Sequence, residues 1–168
     1  MNISQMAMAL KLSYIKDNFE LIIEEAKHTK MDYETFLGTL LKNELSRRAE
    51  NGIARRIRYA KFPIKKYLED FDRTKYGDEF KAKFEELETL RFIGNKENII
   101  MIGTPGAGKT HYAIGIGIKA CLKGKSVLFV SVPNLIIELK EAMSQNQLNV
   151  YKRKFEKFDL VILDELGY

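Results

Sequence analysis

Cysteine is nearly missing from this chain: one residue of 168, Cys121, so no intramolecular disulfide can form. A lone thiol suits a reducing cytosol. Long apolar runs are missing too. No stretch approaches the roughly 18 apolar residues that a membrane span needs. The N-terminal residues, with Lys11 and several methionines, lack the sustained apolar stretch of a secretion signal. Repeats at solenoid periods and low-complexity tracts are absent as well. Together these absences predict a cytoplasmic protein with no membrane role. A chain of this length buries about 70% of its unfolded surface, enough for one core and a small appendage.

Excess charge is also missing from most of the sequence. The net charge of +5 comes from 28 Lys and Arg against 23 Asp and Glu. Residues 1–41 carry four Lys against six acidic residues, and residues 67–168 carry fifteen of each sign. The surplus lies in residues 42–66, where Lys42, Arg47, Arg48, Arg55, Arg56, Arg58, Lys61, Lys65 and Lys66 face only Glu44 and Glu50. Such a block is the electrostatic footprint of phosphate-backbone binding. Its candidate DNA contacts are Arg47, Arg48, Arg55, Arg56, Arg58 and Lys61; the plainer account is a solvated helix face. No base-reading motif accompanies it, so contact with double-stranded DNA is expected to be largely independent of sequence.

What is present in strength is a phosphate loop. Gly103-Thr104-Pro105-Gly106-Ala107-Gly108-Lys109-Thr110 reads G-x-x-x-x-G-K-T. It follows the apolar run Ile99-Ile100-Met101-Ile102, expected to be a buried strand, and precedes a proline-free stretch from His111 to Leu122, expected to be a helix. That context distinguishes the motif from an ordinary glycine turn. Its glycines let successive N–H groups converge on one anion, and the helix N-terminus adds partial positive charge. Gly103, Thr104, Pro105, Gly106, Ala107, Gly108, Lys109, Thr110 and His111 are therefore the candidate nucleotide-binding segment. Lys109 would reach the β- and γ-phosphates, and the Thr110 hydroxyl would hold Mg²⁺. A second apolar run, Leu160-Val161-Ile162-Leu163, ends in Asp164-Glu165. Alone, that pair would read as a solvated strand end. Paired with the loop, Asp164 is a candidate Mg²⁺ ligand and Glu165 a candidate catalytic residue that takes a proton from, or orients, an attacking water.

The remaining pattern gives an α/β organisation. Residues 1–62 read as a helical domain. Tyr14, Phe19, Ile22, Ile23 and Ala26 form one apolar face; Asp32 caps a second helix with Phe36, Leu37, Leu40, Leu41 and Leu45 as core positions. Asn51-Gly52 is expected to bend or interrupt that helix, and Pro63 to end it. Residues 63–77 form a connector with Tyr67, Leu68, Phe71 and Tyr76, aromatics read as packing in preference to an adenine clamp. Residues 78–168 hold a helix from Glu79 to Phe92 capped by Asp78, the phosphate loop, and a strand at Val127–Val130. A helix starting at Pro133-Asn134, a short basic helix with Tyr151 and Phe155, and the last strand complete them. Strands alternating with helices predict a parallel sheet.

Ala60-Lys61-Phe62-Pro63, Leu68-Glu69-Asp70-Phe71-Asp72, Gly103 to His111, and Ile162-Leu163-Asp164-Glu165-Leu166-Gly167-Tyr168 resemble the IstB-like helper ATPases. These are AAA+-type proteins encoded beside the transposase in bacterial insertion sequences and similar to the helicase loader DnaC. The likeness runs from about Met31 onward and more loosely before it. It implies an ATP- and Mg²⁺-binding, DNA-binding protein that self-associates on duplex DNA and assists a transposase. By position, Gly106, Gly108, Lys109, Thr110 and Asp164 would bind phosphates and metal, and Glu165 would activate water. The fold it implies is a partial AAA+-type P-loop NTPase parallel sheet behind a small N-terminal helical domain.

The family's sheet order, 5-1-4-3-2 in chain numbering, leaves strands 1 and 3 of this chain without the strand that separates them. They are expected to expose apolar edges or to pair directly, and the chain reads as a truncated fragment or decayed gene product that binds ATP but is not expected to hydrolyse it alone. A replicative-helicase partner, as for DnaC, and a non-catalytic DNA- or nucleotide-binding fragment are the alternatives. A GTPase is disfavoured: Asp164-Glu165-Leu166-Gly167 fits D-x-x-G, but Asn95-Lys96-Glu97-Asn98 precedes the loop and lacks the Asp of a guanine-reading motif.

Overall fold

Asn2 and Gln5 satisfy each other's backbone N–H groups at 3.0 and 2.8 Å, a capping box that starts helix α1, Ile3–Ala9. Helix α2, Ser13–Thr29, stops at Lys30, which takes the left-handed conformation. Asp32 then accepts from the Thr35 N–H at 2.9 Å and the Thr35 hydroxyl at 2.6 Å, and helix α3, Tyr33–Tyr59, begins. The computed structural model describes residues 2–165; Leu166, Gly167 and Tyr168, the end of the acidic motif, lie outside the described residues. The chain divides into two compact units, Met1–Gly52 and Ile53–Tyr168. The boundary expected at residue 62 therefore falls inside the second unit.

In the first unit the expected face of α2 is turned inward: Ile22 is buried, and Tyr14, Phe19, Ile23 and Ala26 are half-buried. The expected face of α3 is only partly so. Phe36 and Leu40 are half-buried, whereas Leu37, Leu41 and Leu45 are exposed. The buried stripe of α3 carries an acidic residue instead, Glu44, only 3% exposed. Its carboxylate accepts from the N–H groups of Ser13 (3.1 Å), Tyr14 (2.8 Å) and Ile15 (3.2 Å). Leu12 stands at the N-cap of α2 and has no side-chain acceptor to offer, so Glu44 caps that helix from another element. Leu37, Leu41 and Leu45 recur every fourth residue beside this stripe, on a face that α1 and α2 do not cover.

Asn51-Gly52 does not interrupt α3. One glycine in a helix interior costs about 1 kcal/mol, and the ladder on both sides carries the helix through it to Tyr59. In the second unit the connector makes two single 3₁₀ turns, Leu68–Asp70 and Arg73–Lys75. The helix expected over 79–92 starts one residue earlier, with Gly77 at its N-cap position, and is split into α4, Asp78–Glu88, and α5, Arg91–Asn95. Thr89 causes the break: its hydroxyl donates back to the Glu86 carbonyl and accepts from the Arg91 N–H, while Leu90 turns left-handed.

Helix α6, Lys109–Leu122, is the spine of this unit, buried on nearly every side. Tyr112 and Ile116 pack with Leu68, Phe71, Phe84 and Phe92. Ala120 and Cys121 pack with Ala60 and Val127, and Ile114 and Ile118 with Phe129. Strands β1, Val127–Ser131, and β2, Leu160–Asp164, pair in parallel with Val127 opposite Leu160 and Ser131 opposite Asp164. Helices α7, Val132–Ser144, and α8, Leu148–Phe155, make the crossover. Asp159 fixes the register from below: its carboxylate accepts from both the N–H and the hydroxyl of Ser126 at 2.7 Å. The other edge of β1 is partly covered, since the Phe129 N–H donates to the Ala60 carbonyl at 2.8 Å.

Two neighbouring parallel strands match the places of the second and third strands in the expected order. The strand expected at Ile99–Ile102 does not form. A ladder needs a partner backbone, and among the described residues no strand pairs with this segment. Met101 packs against the aromatic core, while Ile100 and Ile102 are 80% and 92% exposed. The two apolar runs are thus not paired directly, and the outcome is the exposed edge.

Candidate nucleotide-binding site

The loop between the apolar run and α6 owes its shape to two glycines. Gly106 and Gly108 have φ of 79° and 86°, a region that side chains with a Cβ rarely enter. Gly108 stands at the N-cap of α6, and the Ala107 N–H closes a turn on the Thr104 carbonyl at 3.2 Å. Residues 103–106 are exposed; Ala107 to His111 are half-buried. Lys109 folds back over the loop: its Nζ donates to the carbonyls of Gly103 (2.6 Å) and Thr104 (2.9 Å). An ammonium parked on loop carbonyls sits where an arriving polyphosphate would offer it charged acceptors instead.

The next residue carries the link to the distant strand. Thr110 Oγ1 donates to Asp164 Oδ1 at 3.0 Å. The parallel pairing places Asp164 at the C-terminal end of β2, where open α/β sheets bind their ligands. Both predicted Mg²⁺ residues are therefore neighbours. A hydroxyl and a carboxylate are hard oxygen donors, two in number, which fits an ion that takes its remaining ligands from phosphate and water. Among the described residues no cluster of three His, Cys, Asp or Glu exists that would hold a metal by itself.

Glu165 follows at once, exposed and with φ 61°, the left-handed region that a side chain occupies only at a cost. His111, grouped with the nucleotide-binding segment by sequence, turns away from the loop. Its Nε2 meets the Tyr67 carbonyl at 3.0 Å, which assigns the proton to Nε2, and its ring packs on Phe71. Phe71 and Leu68 are buried in the core, which agrees with packing for those connector residues. The Tyr112 phenol beneath the loop donates to the Phe84 carbonyl, and burial, with Glu88 nearby, pushes its pKa well above the ordinary value.

The six candidate DNA contacts are not equivalent. In the first unit, Arg47 is exposed, while Arg48 donates to Glu44 (3.3 Å) and to the Lys11 carbonyl (3.2 Å). In the second, Arg55, Arg58 and Lys61 are exposed, and Arg58 lies over the Tyr59 ring. Arg56 points the other way: its Nε donates to the Cys121 carbonyl at 2.8 Å, satisfying a carbonyl of the last turn of α6. Sequence reasoning did not find this role, nor that of Tyr76, whose hydroxyl donates to the Ala107 carbonyl of the loop.

The model of the IstB-like ATP binding protein family matches residues 5–168. The chain belongs to that family. Among the IstB-like relatives, it is 35% identical over 159 residues to a Pseudomonas aeruginosa protein named for ATP binding in insertion sequence IS21, with 95% of this chain and 60% of the relative covered. A Geobacillus stearothermophilus protein named likewise for insertion sequence IS5376 is 34% identical over 95% of this chain and 63% of its own length. One from Bacillus thuringiensis subsp. berliner, insertion sequence IS232, is 30% identical over 95% and 64%. This IstB-like chain thus spans about three fifths of the length of these curated relatives. Among the described residues, no helix is long and apolar enough to cross a membrane.

Proposed function

We propose that this chain binds Mg²⁺·ATP at the 103–110 loop and serves an insertion-sequence helper that assembles on duplex DNA and assists the transposase. The observation that carries the nucleotide reading is the contact of Thr110 with Asp164, which joins the loop to the acidic strand end at 3.0 Å. ATP is the nucleotide favoured because the relatives are named for it. The backbone N–H groups of the loop would receive the phosphates, Lys109 would leave its two carbonyls for phosphate oxygens, and Thr110 with Asp164 would hold the ion. When bound, Mg²⁺ would supply neutralisation of phosphate charge. Glu165, next to the metal-binding carboxylate, would orient a water or accept its proton. The exposed Arg47, Arg55, Arg58 and Lys61 support contact with the DNA backbone.

Titration with Mg²⁺·ATP tests the first part. Lys109→Ala should weaken binding about ten- to a hundredfold, the size of one or two charge-assisted hydrogen bonds; equal affinity rejects the assignment. Neutralising Arg47, Arg55 and Arg58, while leaving Arg48 and Arg56 in their structural bonds, should reduce the salt slope of duplex binding by about one unit for each DNA phosphate that no longer meets a cation. An unchanged slope makes the cluster a solvated face. Co-purification with an insertion-sequence transposase tests the partner, and failure to retain it would reject that part of the reading.

A further inference from the structure

The connector touches the phosphate loop through Tyr76. The Tyr76 hydroxyl donates to the carbonyl of Ala107, and its ring lies in the aromatic cluster, 5.4 Å from Phe71 and 5.2 Å from Phe84 between centroids. Across a trans peptide the carbonyl and the following N–H point in opposite directions, and no cis peptide bond is present among the described residues. Fixing the Ala107 carbonyl toward the connector therefore fixes the Gly108 N–H toward the opposite side, away from Tyr76. At Gly108 a Cβ would meet Phe71 Cε2 at 2.9 Å and the Tyr76 hydroxyl at 3.2 Å, so the aromatic pair fills that side of the residue. The peptide needs this support. Gly106 and Gly108, both at positive φ, make the loop easy to rotate, and a freely rotating 107–108 peptide would offer an anion its carbonyl as readily as its N–H.

We propose that Tyr76 is a positioning residue for polyphosphate: its hydroxyl sets the 107–108 peptide so that the Gly108 N–H faces the ligand. The inference rests on the loop being the nucleotide site, and it assigns to the connector a role in binding that packing alone does not require. Connector and loop would also be coupled. A ligand drawing on the Gly108 N–H polarises the same peptide, strengthens the Ala107 carbonyl as an acceptor, and tightens its bond to Tyr76.

Tyr76→Phe keeps the ring in the aromatic cluster and removes only the donor. Affinities of the full chain for Mg²⁺·ATP and for inorganic tripolyphosphate are measured together with the melting temperature. The expected result is a loss of about five- to tenfold for both ligands, the worth of one ordinary hydrogen bond, with melting little changed. Unchanged affinities overturn the proposal. So does a loss for ATP alone, which would place the effect at the nucleoside end, or a lowered melting temperature with both affinities intact, which would make the bond structural only. If the wild-type chain binds neither ligand, the nucleotide reading falls along with the inference; if it binds both and Tyr76→Phe binds them equally, only the inference falls.

Discussion

Thr110 and Asp164 lie fifty-four positions apart and meet at 3.0 Å, hydroxyl to carboxylate. Without a cation this is an ordinary hydrogen bond; with one, both oxygens can turn to the metal. Asp164→Asn keeps the shape and an acceptor for Thr110 but removes the charge that attracts a divalent ion. The wild-type chain should therefore bind ATP more tightly with Mg²⁺ than with EDTA, and Asp164→Asn should lose most of that gain, about tenfold or more. Thr110→Ala combined with Asp164→Asn should cost less than the two losses added, since both act on one site. Additive losses would show that the two side chains serve separate purposes.

The loop and its acidic partner were legible because their chemistry fixes residue types at fixed spacings. Gly106 and Gly108 adopt the positive φ that made glycine necessary, and β2 ends at the predicted Asp164. Periodicity was less informative about faces. Phe36, Leu37, Leu40, Leu41 and Leu45 all fit a helical stripe, yet only Phe36 and Leu40 are half-buried, since spacing cannot say how wide a face the neighbours cover. Ile99–Ile102 reads as a strand by composition, but a strand is a pairing and depends on another segment. Glu44 and Arg56 gave no signal of their roles. Each is a charged residue in a charged stretch, and each makes its decisive bonds to backbone more than 25 residues away.

Glu44 should matter to stability far more than a helix carboxylate usually does. It serves three N–H groups at the start of α2 and is shielded from solvent. Glu44→Gln leaves one acceptor oxygen and no charge against the helix N-terminus, and should cost about 1–2 kcal/mol. Glu44→Ala strands the N–H groups and should cost about 2–4 kcal/mol. Urea denaturation gives the magnitude, and amide exchange of Ser13, Tyr14 and Ile15 gives the place. Unaltered exchange at those three amides would refute the cap.

Two helical glycines should respond to alanine with opposite signs. A Cβ on Gly117 would stand 2.8 Å from Ile162 Cδ1 and 2.8 Å from two atoms of the Phe62 ring, inside the core around α6. The better helix propensity of alanine is worth about 1 kcal/mol, and overpacking costs about 1–3 kcal/mol, so Gly117→Ala should destabilise on balance. Gly38 in α3 has nothing within 4 Å of its Cβ position. Gly38→Ala should then stabilise by up to about 1 kcal/mol. Thermal unfolding of both variants decides it; the same sign for both would mean that packing against Phe62 and Ile162 is looser than the distances state.

Cys121 supplies a pH signature for the core around α6. Its side chain is fully buried between Ala60, Ala120 and Val127, and burial raises its pKa from an ordinary value near 9 to about 11, with Arg56 acting in the opposite sense. The unfolded thiol ionises first as pH rises, so the native state is at no disadvantage below pH 9 and loses ground between about 9 and 11. The loss is limited to about 2–3 kcal/mol at 1.36 kcal/mol per pKa unit. Lysines and tyrosines titrate in the same window, so the measurement is a difference: the stability of wild type minus that of Cys121→Ala, followed from pH 8 to 11. The difference should shrink as pH rises. A flat difference would mean that the thiol ionises as easily folded as unfolded.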